Sequence, residues 1–131
     1  MPTVIARNLK DLQLCLNKCK LRKKKIGLVP TMGCLHDGHL SLVKKSKKLK
    51  YYTVVTIFIN PIQFNSEKDL KKYPSQEKAD ITILKENKVD LIFVPKVKDI
   101  YPKNFSTYLN ENLYSNILCA VSRKNHFKGV L

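Results

Sequence analysis

The sequence predicts a doubly wound α/β domain built on a parallel sheet. Three observations carry that expectation. Short β-branched apolar runs recur along the chain, helical patterns fill the gaps between them, and each run is followed by proline. The runs are mostly continuous rather than alternating, as strands covered on both faces are. Strands that alternate with helices imply parallel neighbours joined by right-handed crossovers.

The elements follow in order. Met1 to Arg7 shows no basic stretch leading into an apolar one, so no signal peptide is visible and the cytoplasm is the expected compartment. Leu9, Leu12, Cys15, Leu16 and Cys19 recur at helical spacing, and the basic stretch Lys20 to Lys25 suits the negative end of a helix dipole. Ile26 to Val29 reads as the first strand, stopped by Pro30. A second helix is expected from Asp37 or Gly38 toward Lys48, with Leu35, His39, Leu42 and Val43 inward and Lys44, Lys45, Lys47 and Lys48 outward. Thr53 to Ile59 reads as the second strand, followed by Asn60-Pro61. Asp69 to Pro74 reads as a loop entering a third helix, Ser75 to Asn87, with Ala79, Ile83 and Leu84 inward. Val89 to Val94 is the third strand, ended by Pro95. Beyond Lys96 the signal weakens to a possible short helix over 111–121 and a basic loop over 122–131.

Composition bounds the function. The chain has 131 residues, one domain's worth, and 44% of them are apolar types, enough for a core. No apolar run approaches the roughly 20 residues of a membrane span. None of the four cysteines, Cys15, Cys19, Cys34 and Cys119, form a C-x-x-C pair, so free thiols are expected. The net charge is +15, but 22 of the 25 basic residues are Lys. Readers of phosphate and base edges lean on the Arg fork instead. With ten Asn and ten Ile alongside, the Lys excess reads as codon drift toward A and T, spread over a solvated surface. A basic nucleic-acid-binding module is therefore a weaker alternative, because aromatic residues do not interleave with the Lys runs.

The chemistry concentrates between the first strand and the second helix. Gly33 and Gly38 flank Thr31-Met32-Gly33-Cys34-Leu35-His36-Asp37-Gly38-His39 in a chain with four glycines in all. His36 and His39 are three apart, so on a first helical turn both can face one ligand. A helix N-terminus adds unpaired N–H groups that suit an anion. Three readings compete: a nucleotide site, a metal site completed by Cys34 or His126, and two ordinary half-buried histidines. H-x-x-H alone favours the last, while the surrounding strand, proline, glycines and helix favour a nucleotide. No P-loop and no G-x-G-x-x-G is present. Gln63, past the second strand in Asn60-Pro61-Ile62-Gln63-Phe64, is a candidate for a hydroxyl or carboxylate of a small substrate. Both segments are expected at the sheet's carboxyl rim, where such folds bind ligands. Arg123 and His126 in Ser122 to Val130 could contact an anion or face water.

At these residues the chain strongly resembles the pantothenate synthetase family, the pantoate–β-alanine ligases. The resemblance rests on Leu28 to Gly33, Leu35 to Leu40, Ile57 to Phe64, Asp69-Leu70 with Tyr73-Pro74, Val89 to Pro95, Ile100-Tyr101-Pro102, Ser122-Arg123, His126-Phe127 and Gly129-Val130, in order and at matching spacing. His36-Asp37-Gly38-His39 is similar to the His-x-Gly-His signature of a wider nucleotidyltransferase superfamily. The resemblance implies a Rossmann-like fold and adenylate chemistry. Pantoate attacks the α-phosphate of ATP, pyrophosphate leaves with Mg2+ assisting, and β-alanine converts pantoyl-adenylate to pantothenate and AMP. It further implies that Met32, Gly33, Cys34, Leu35, His36, Asp37, Gly38 and His39 line the ATP site. His39 is then the usual proton donor, His36 a phosphate ligand, and Gln63 the contact to pantoate and β-alanine. The family is usually dimeric.

Family members are about twice as long, so residues 1–131 correspond to an incomplete N-terminal nucleotide-binding domain without the C-terminal domain. The Gly-Glu-Lys-Asp and Ser-Ser-Arg-Asn segments of the family are not in this stretch. Ser75 stands where arginine usually follows Tyr-Pro, and Val121 and Lys124-Asn125 depart from the usual small residues and Pro-Gly. An inactive remnant of the same enzyme is the alternative these departures imply. A sheet cut before its last strands is also expected to be marginally stable or prone to aggregate.

Overall fold

In the computed structural model, which describes residues 2–64, 66–109, 129 and 130, four strands form one sheet in the order β1-β4-β3-β2. They are β1 (Val4–Ala6), β2 (Ile26–Thr31), β3 (Tyr52–Ile57) and β4 (Leu91–Phe93). All three pairings are parallel, with Leu28 opposite Val54, Val54 opposite Leu91 and Ile5 opposite Ile92. Among the described residues five α-helices are bounded: α1 (Leu9–Leu21), α2 (Asp37–Lys48), α3 (Glu67–Lys72), α4 (Glu77–Glu86) and α5 (Val97–Ile100).

The expected fold class is the observed one, and its two faces follow from the connections. The step from β1 to β2 crosses the sheet one way, and the steps from β2 through β3 to β4 return the other way. Right-handed crossovers in opposite directions put their helices on opposite faces. Accordingly Leu12, Cys15 and Leu16 of α1 pack on Ala6, Val54, Leu91 and Phe93. On the other face, Val43 of α2 and Ile81 and Leu84 of α4 pack with Val29, Val55, Ile57 and Ile92.

Several expectations need correction. β1 forms a fourth strand from three residues, too few to stand out as an apolar run. β2 continues through Pro30, which sits opposite Thr56. The strand lies at the sheet edge, where a missing N–H breaks no ladder bond on the open side. One face of the strand is uncovered, so Ile26 and Leu28 are exposed while Val29 and Thr31 on its other face are buried. Residues 67–72 are helical, not loop, because Ser66 caps them by accepting from the Asp69 N–H at 3.2 Å. In α4 the inward residues are Asp80, Ile81 and Leu84, while Ala79 is exposed. In α2 the buried positions are Val43 and Ser46, and Leu42 lies on the exposed flank.

Gly27 explains Ser46. A Cβ on Gly27 would overlap the Ser46 hydroxyl and stand 2.9 Å from Ser46 Cβ. Bare backbone in β2 thus lets α2 approach closely enough for the Ser46 and Thr53 hydroxyls to bond at 2.8 Å. Beside them, Asp90 accepts from the Thr53 N–H at 2.8 Å and from Lys47 Nζ at 3.1 Å. Cys19 is a buried free thiol whose Sγ donates to the Lys24 carbonyl, and burial raises its pKa.

The chain divides into two compact units, Met1–Ile59 with Ser75–Ile100, and Asn60–Pro74 with Tyr101–Leu131. The sheet, α1, α2, α4 and α5 belong to the first, and α3 to the second. No helix among the described residues is long and apolar enough to cross a membrane.

Candidate functional site

The first unit carries the histidine pair where β2 ends and α2 begins. Thr31 closes β2: its hydroxyl donates to the Thr56 carbonyl at 2.8 Å and accepts from the Gly33 N–H at 3.1 Å. The backbone then turns through two left-handed residues, Gly33 at φ +89° and Cys34 at φ +51°. Such a conformation costs an L-residue energy, so the turn needs support from its surroundings. That support comes from Asp80 of α4. One carboxylate oxygen accepts from the Cys34 N–H and the other from the Leu35 N–H, both at 2.9 Å. Leu35 anchors the far end of the turn by packing on the core.

The histidines then cap their own helix. His36 is the N-cap, and its Nδ1 accepts from the Gly38 N–H at 3.1 Å. His39 reaches back so that its Nδ1 accepts from the His36 N–H at a longer 3.4 Å. This is the reciprocal arrangement of a capping box with imidazoles in place of the usual Ser and Glu. A neutral imidazole whose Nδ1 accepts carries its proton on Nε2. Both rings, with centroids 4.0 Å apart, therefore offer an Nε2–H donor beyond the cap. Burial lowers the pKa of His39, the charge of His36 lowers it further, and Asp80 acts in the opposite sense. His39 is thus held neutral at neutral pH, as a hydrogen-bond donor.

Gly38 is needed beside these rings. A Cβ there would stand 2.8 Å from His36 Cε1 and 3.0 Å from its Nδ1. The side chain it must avoid is first of all His36 itself. Asp37, in the first turn, is exposed, and Met32 and Cys34 are half-buried.

Gln63 belongs to the second unit, at the end of a 3-10 turn spanning Pro61–Gln63. Buried Asn60 organises that turn. Its Oδ1 accepts from the Ile62 N–H at 3.1 Å and from the Tyr101 hydroxyl at 2.9 Å, and its Nδ2 donates to the Gly129 carbonyl at 2.5 Å. Gly129 lies so close that a Cβ on it would stand 2.5 Å from Gln63 Cγ. The glycine therefore leaves room for the Gln63 side chain.

A family model described as Pantoate-beta-alanine ligase matches residues 4–131. The chain belongs to the pantoate-beta-alanine ligase family. Among curated relatives, pantothenate synthetase of Pseudothermotoga lettingae is 44% identical over 127 residues, covering 97% of this chain and 45% of that protein. Pantothenate synthetase of Thermosipho africanus is 52% identical over 108 residues, covering 82% and 39%. A crystal structure of the Francisella tularensis pantoate-beta-alanine ligase, complexed with "Beta-gamma ATP and Beta-alanine", matches with a TM-score of 0.89 at 44% identity, covering 97% of this chain and 49% of that one. The chain thus spans about half the length of the relatives it matches.

Seen as a pantoate-beta-alanine ligase family member, the chain assembles Met32 to His39 as one continuous segment of the first unit. Asp80 and Asn60 are the residues that sequence reasoning missed. Asn60 left a signal, since Asn before Pro is a helix-start pattern. Asp80 left none at the level of motif. The expected anion contacts Arg123 and His126, Cys119, and the helix over 111–121 lie outside the described residues. Among the described residues, no three His, Cys, Asp or Glu side chains group to hold a metal ion.

Proposed function

We propose that this chain is the nucleotide-binding part of a pantothenate synthetase, acting in the ATP-dependent condensation of pantoate with β-alanine. In that reaction a pantoate carboxylate oxygen attacks the α-phosphorus, and the bond to the β-phosphate oxygen breaks. Pyrophosphate leaves and pantoyl-adenylate remains. The β-alanine amine then attacks the acyl carbon, AMP departs, and the amine loses a proton as the amide forms.

The observation that supports this reading is the pair of Nε2–H donors at the start of α2, both fixed in tautomer by the helix cap. Adenylation needs donors aimed at charge growing on the phosphate oxygens more than it needs a protein nucleophile. His36 and His39 supply such donors, and the positive end of the α2 dipole adds to them. The resemblance assigns His39 as proton donor. As a neutral imidazole it acts by hydrogen bonding to the phosphate. Gln63 would hold the pantoate and β-alanine polar groups through its amide. Mg2+ would neutralise phosphate charge when it arrives with ATP.

The test is pantoate-dependent exchange of labelled pyrophosphate into ATP by the purified chain. Exchange that His39→Ala abolishes, with an unchanged circular dichroism spectrum, is the expected result. A folded His39→Ala protein that still exchanges would overturn the assignment. ATP binding without any exchange would mark the chain as an inactive relative of the enzyme.

A further inference from the structure

Asp80 is 2% exposed, and among the described residues no cation forms an ion pair with it. Burying a carboxylate in this way is costly unless hydrogen bonds compensate. Here each oxygen takes one N–H, those of Cys34 and Leu35, at the centre of the left-handed turn. Its Oδ2 also lies 3.0 Å from where a Gly33 Cβ would be, so the carboxylate fills the concave side of the turn. A neutral amide could not replace it. Asn has one acceptor oxygen and would point N–H groups at the second backbone N–H.

We propose that Asp80 is a positioning residue for the anion site, holding the Gly33–Cys34 turn and so fixing where His36 and His39 present their Nε2–H groups. The argument is one of succession. Thr31 takes the Gly33 N–H, Asp80 takes those of Cys34 and Leu35, His39 takes that of His36, and His36 takes that of Gly38. Asp80 supplies the two middle links from a different helix, α4, and thereby ties the loop to the sheet's helical layer. That this site receives ATP rests on the function proposed above; the placement of the histidines by Asp80 does not.

The experiment compares the full chain with Asp80→Asn and, as a control, Asp90→Asn. Asp90 also accepts a backbone N–H, from Thr53, so its loss reports a purely structural carboxylate. Three readouts are taken: thermal melting, NMR titration of the His39 ring, and Mg·ATP affinity. Asp80→Asn is expected to shift the His39 ring resonances even at a pH where the ring is neutral, because the turn that places it has lost two of its links. It is also expected to weaken ATP by roughly tenfold or more, as loss of well-placed donors to a charged ligand does. Asp90→Asn is expected to lower the melting temperature and move neither. An Asp80→Asn protein that merely melts earlier, with His39 resonances and ATP affinity as in the parent, would overturn the proposal.

If Asp80→Asn does not fold, hydrogen exchange in the parent decides. Protection of the Cys34 and Leu35 amides above their exposed neighbours supports the proposal, and free exchange of both overturns it. A parent chain that binds no Mg·ATP sinks the functional reading alone, because the His39 titration and amide protection still judge Asp80.

Discussion

Replacing Gly38 by alanine separates folding from ligand binding in a way the geometry quantifies. The new methyl would stand 2.8 Å from His36 Cε1 and 3.0 Å from Nδ1, whereas carbon contacts settle at about 3.5–4.0 Å. The ring must therefore move by about 0.7–1.2 Å. It is an exposed side chain, so it can move without disturbing the core. The 3.1 Å bond from the Gly38 N–H to His36 is lost, which costs about 0.5–2 kcal/mol as a helix cap. Alanine returns up to about 1 kcal/mol through its better helix propensity. Net stability should change by about 1 kcal/mol, or roughly 3–5 °C in melting temperature. Under the proposed function the ligand fares worse, because one imidazole donor would no longer meet the phosphate. A hydrogen bond to a charged group contributes about 1.5–3 kcal/mol, so ATP affinity should fall roughly 10- to 150-fold. Calorimetric titration with Mg·ATP beside thermal melts measures both. In a His36→Ala background the same methyl should have almost no effect on binding, since its target is gone. Unchanged affinity together with a loss of more than about 15 °C would refute the reasoning.

Other perturbations address the remaining contacts. Gly27→Ala drives a methyl into Ser46 and parts it from Thr53; overpacking of about 1–3 kcal/mol should appear as an earlier urea midpoint, and an unchanged midpoint would count against the close approach of α2. His39 has a folded pKa below its ordinary 6.5, so its protonation favours the unfolded chain. Its contribution to stability is complete above pH 6.5 and lost as the pH falls through the depressed value. Urea melts between pH 7.5 and 5 should show a shallower acid loss in His39→Ala than in the parent; equal slopes would contradict the sign. Asn60→Leu strips the Ile62 N–H and Gly129 carbonyl of their partner, at about 1–3 kcal/mol for each group left unsatisfied. Faster exchange of the Ile62 amide is the direct readout, and full retention of its protection would show that Asn60 is dispensable.

The parallel alternation was legible because its signal is physical: β3 and β4 are covered on both faces and so are apolar without interruption. β1 was not, since three residues paired to one neighbour carry too little pattern. Pro30 looked like a terminator because a proline stops a central strand, and only the strand order reveals that β2 is an edge. The spacing of His36 and His39 correctly put them on one turn of α2. Their use as caps for each other was hidden, because the usual capping residues are Ser, Thr, Asp and Asn, and histidine is not among them. Asp80 was hidden for a more general reason. A charged residue beside Ala79 in a helix reads as the solvated face, and the two N–H groups that reverse this judgement come from a loop 45 residues away. Gln63 was singled out from its place after a strand, while the Asn60 contacts to Tyr101 and Gly129 depend on chain far downstream.

The chained cap of α2 has a consequence for how mutational tolerance should be interpreted. In this loop the side chains of Thr31, His36 and His39 bond the backbone within their own segment, so each is also part of what holds that segment in shape. A saturation library scored for abundance alone should already show a mild loss at these positions, about the 0.5–2 kcal/mol of a helix cap, before any demand for catalysis is imposed. A mild loss at His36 or His39 is then no testimony to chemistry. The informative positions are those where the two screens part company: Gly38, where a methyl spares the fold, and the outward Nε2–H groups, which a cap-competent replacement such as Asn at 36 would remove while keeping the helix closed.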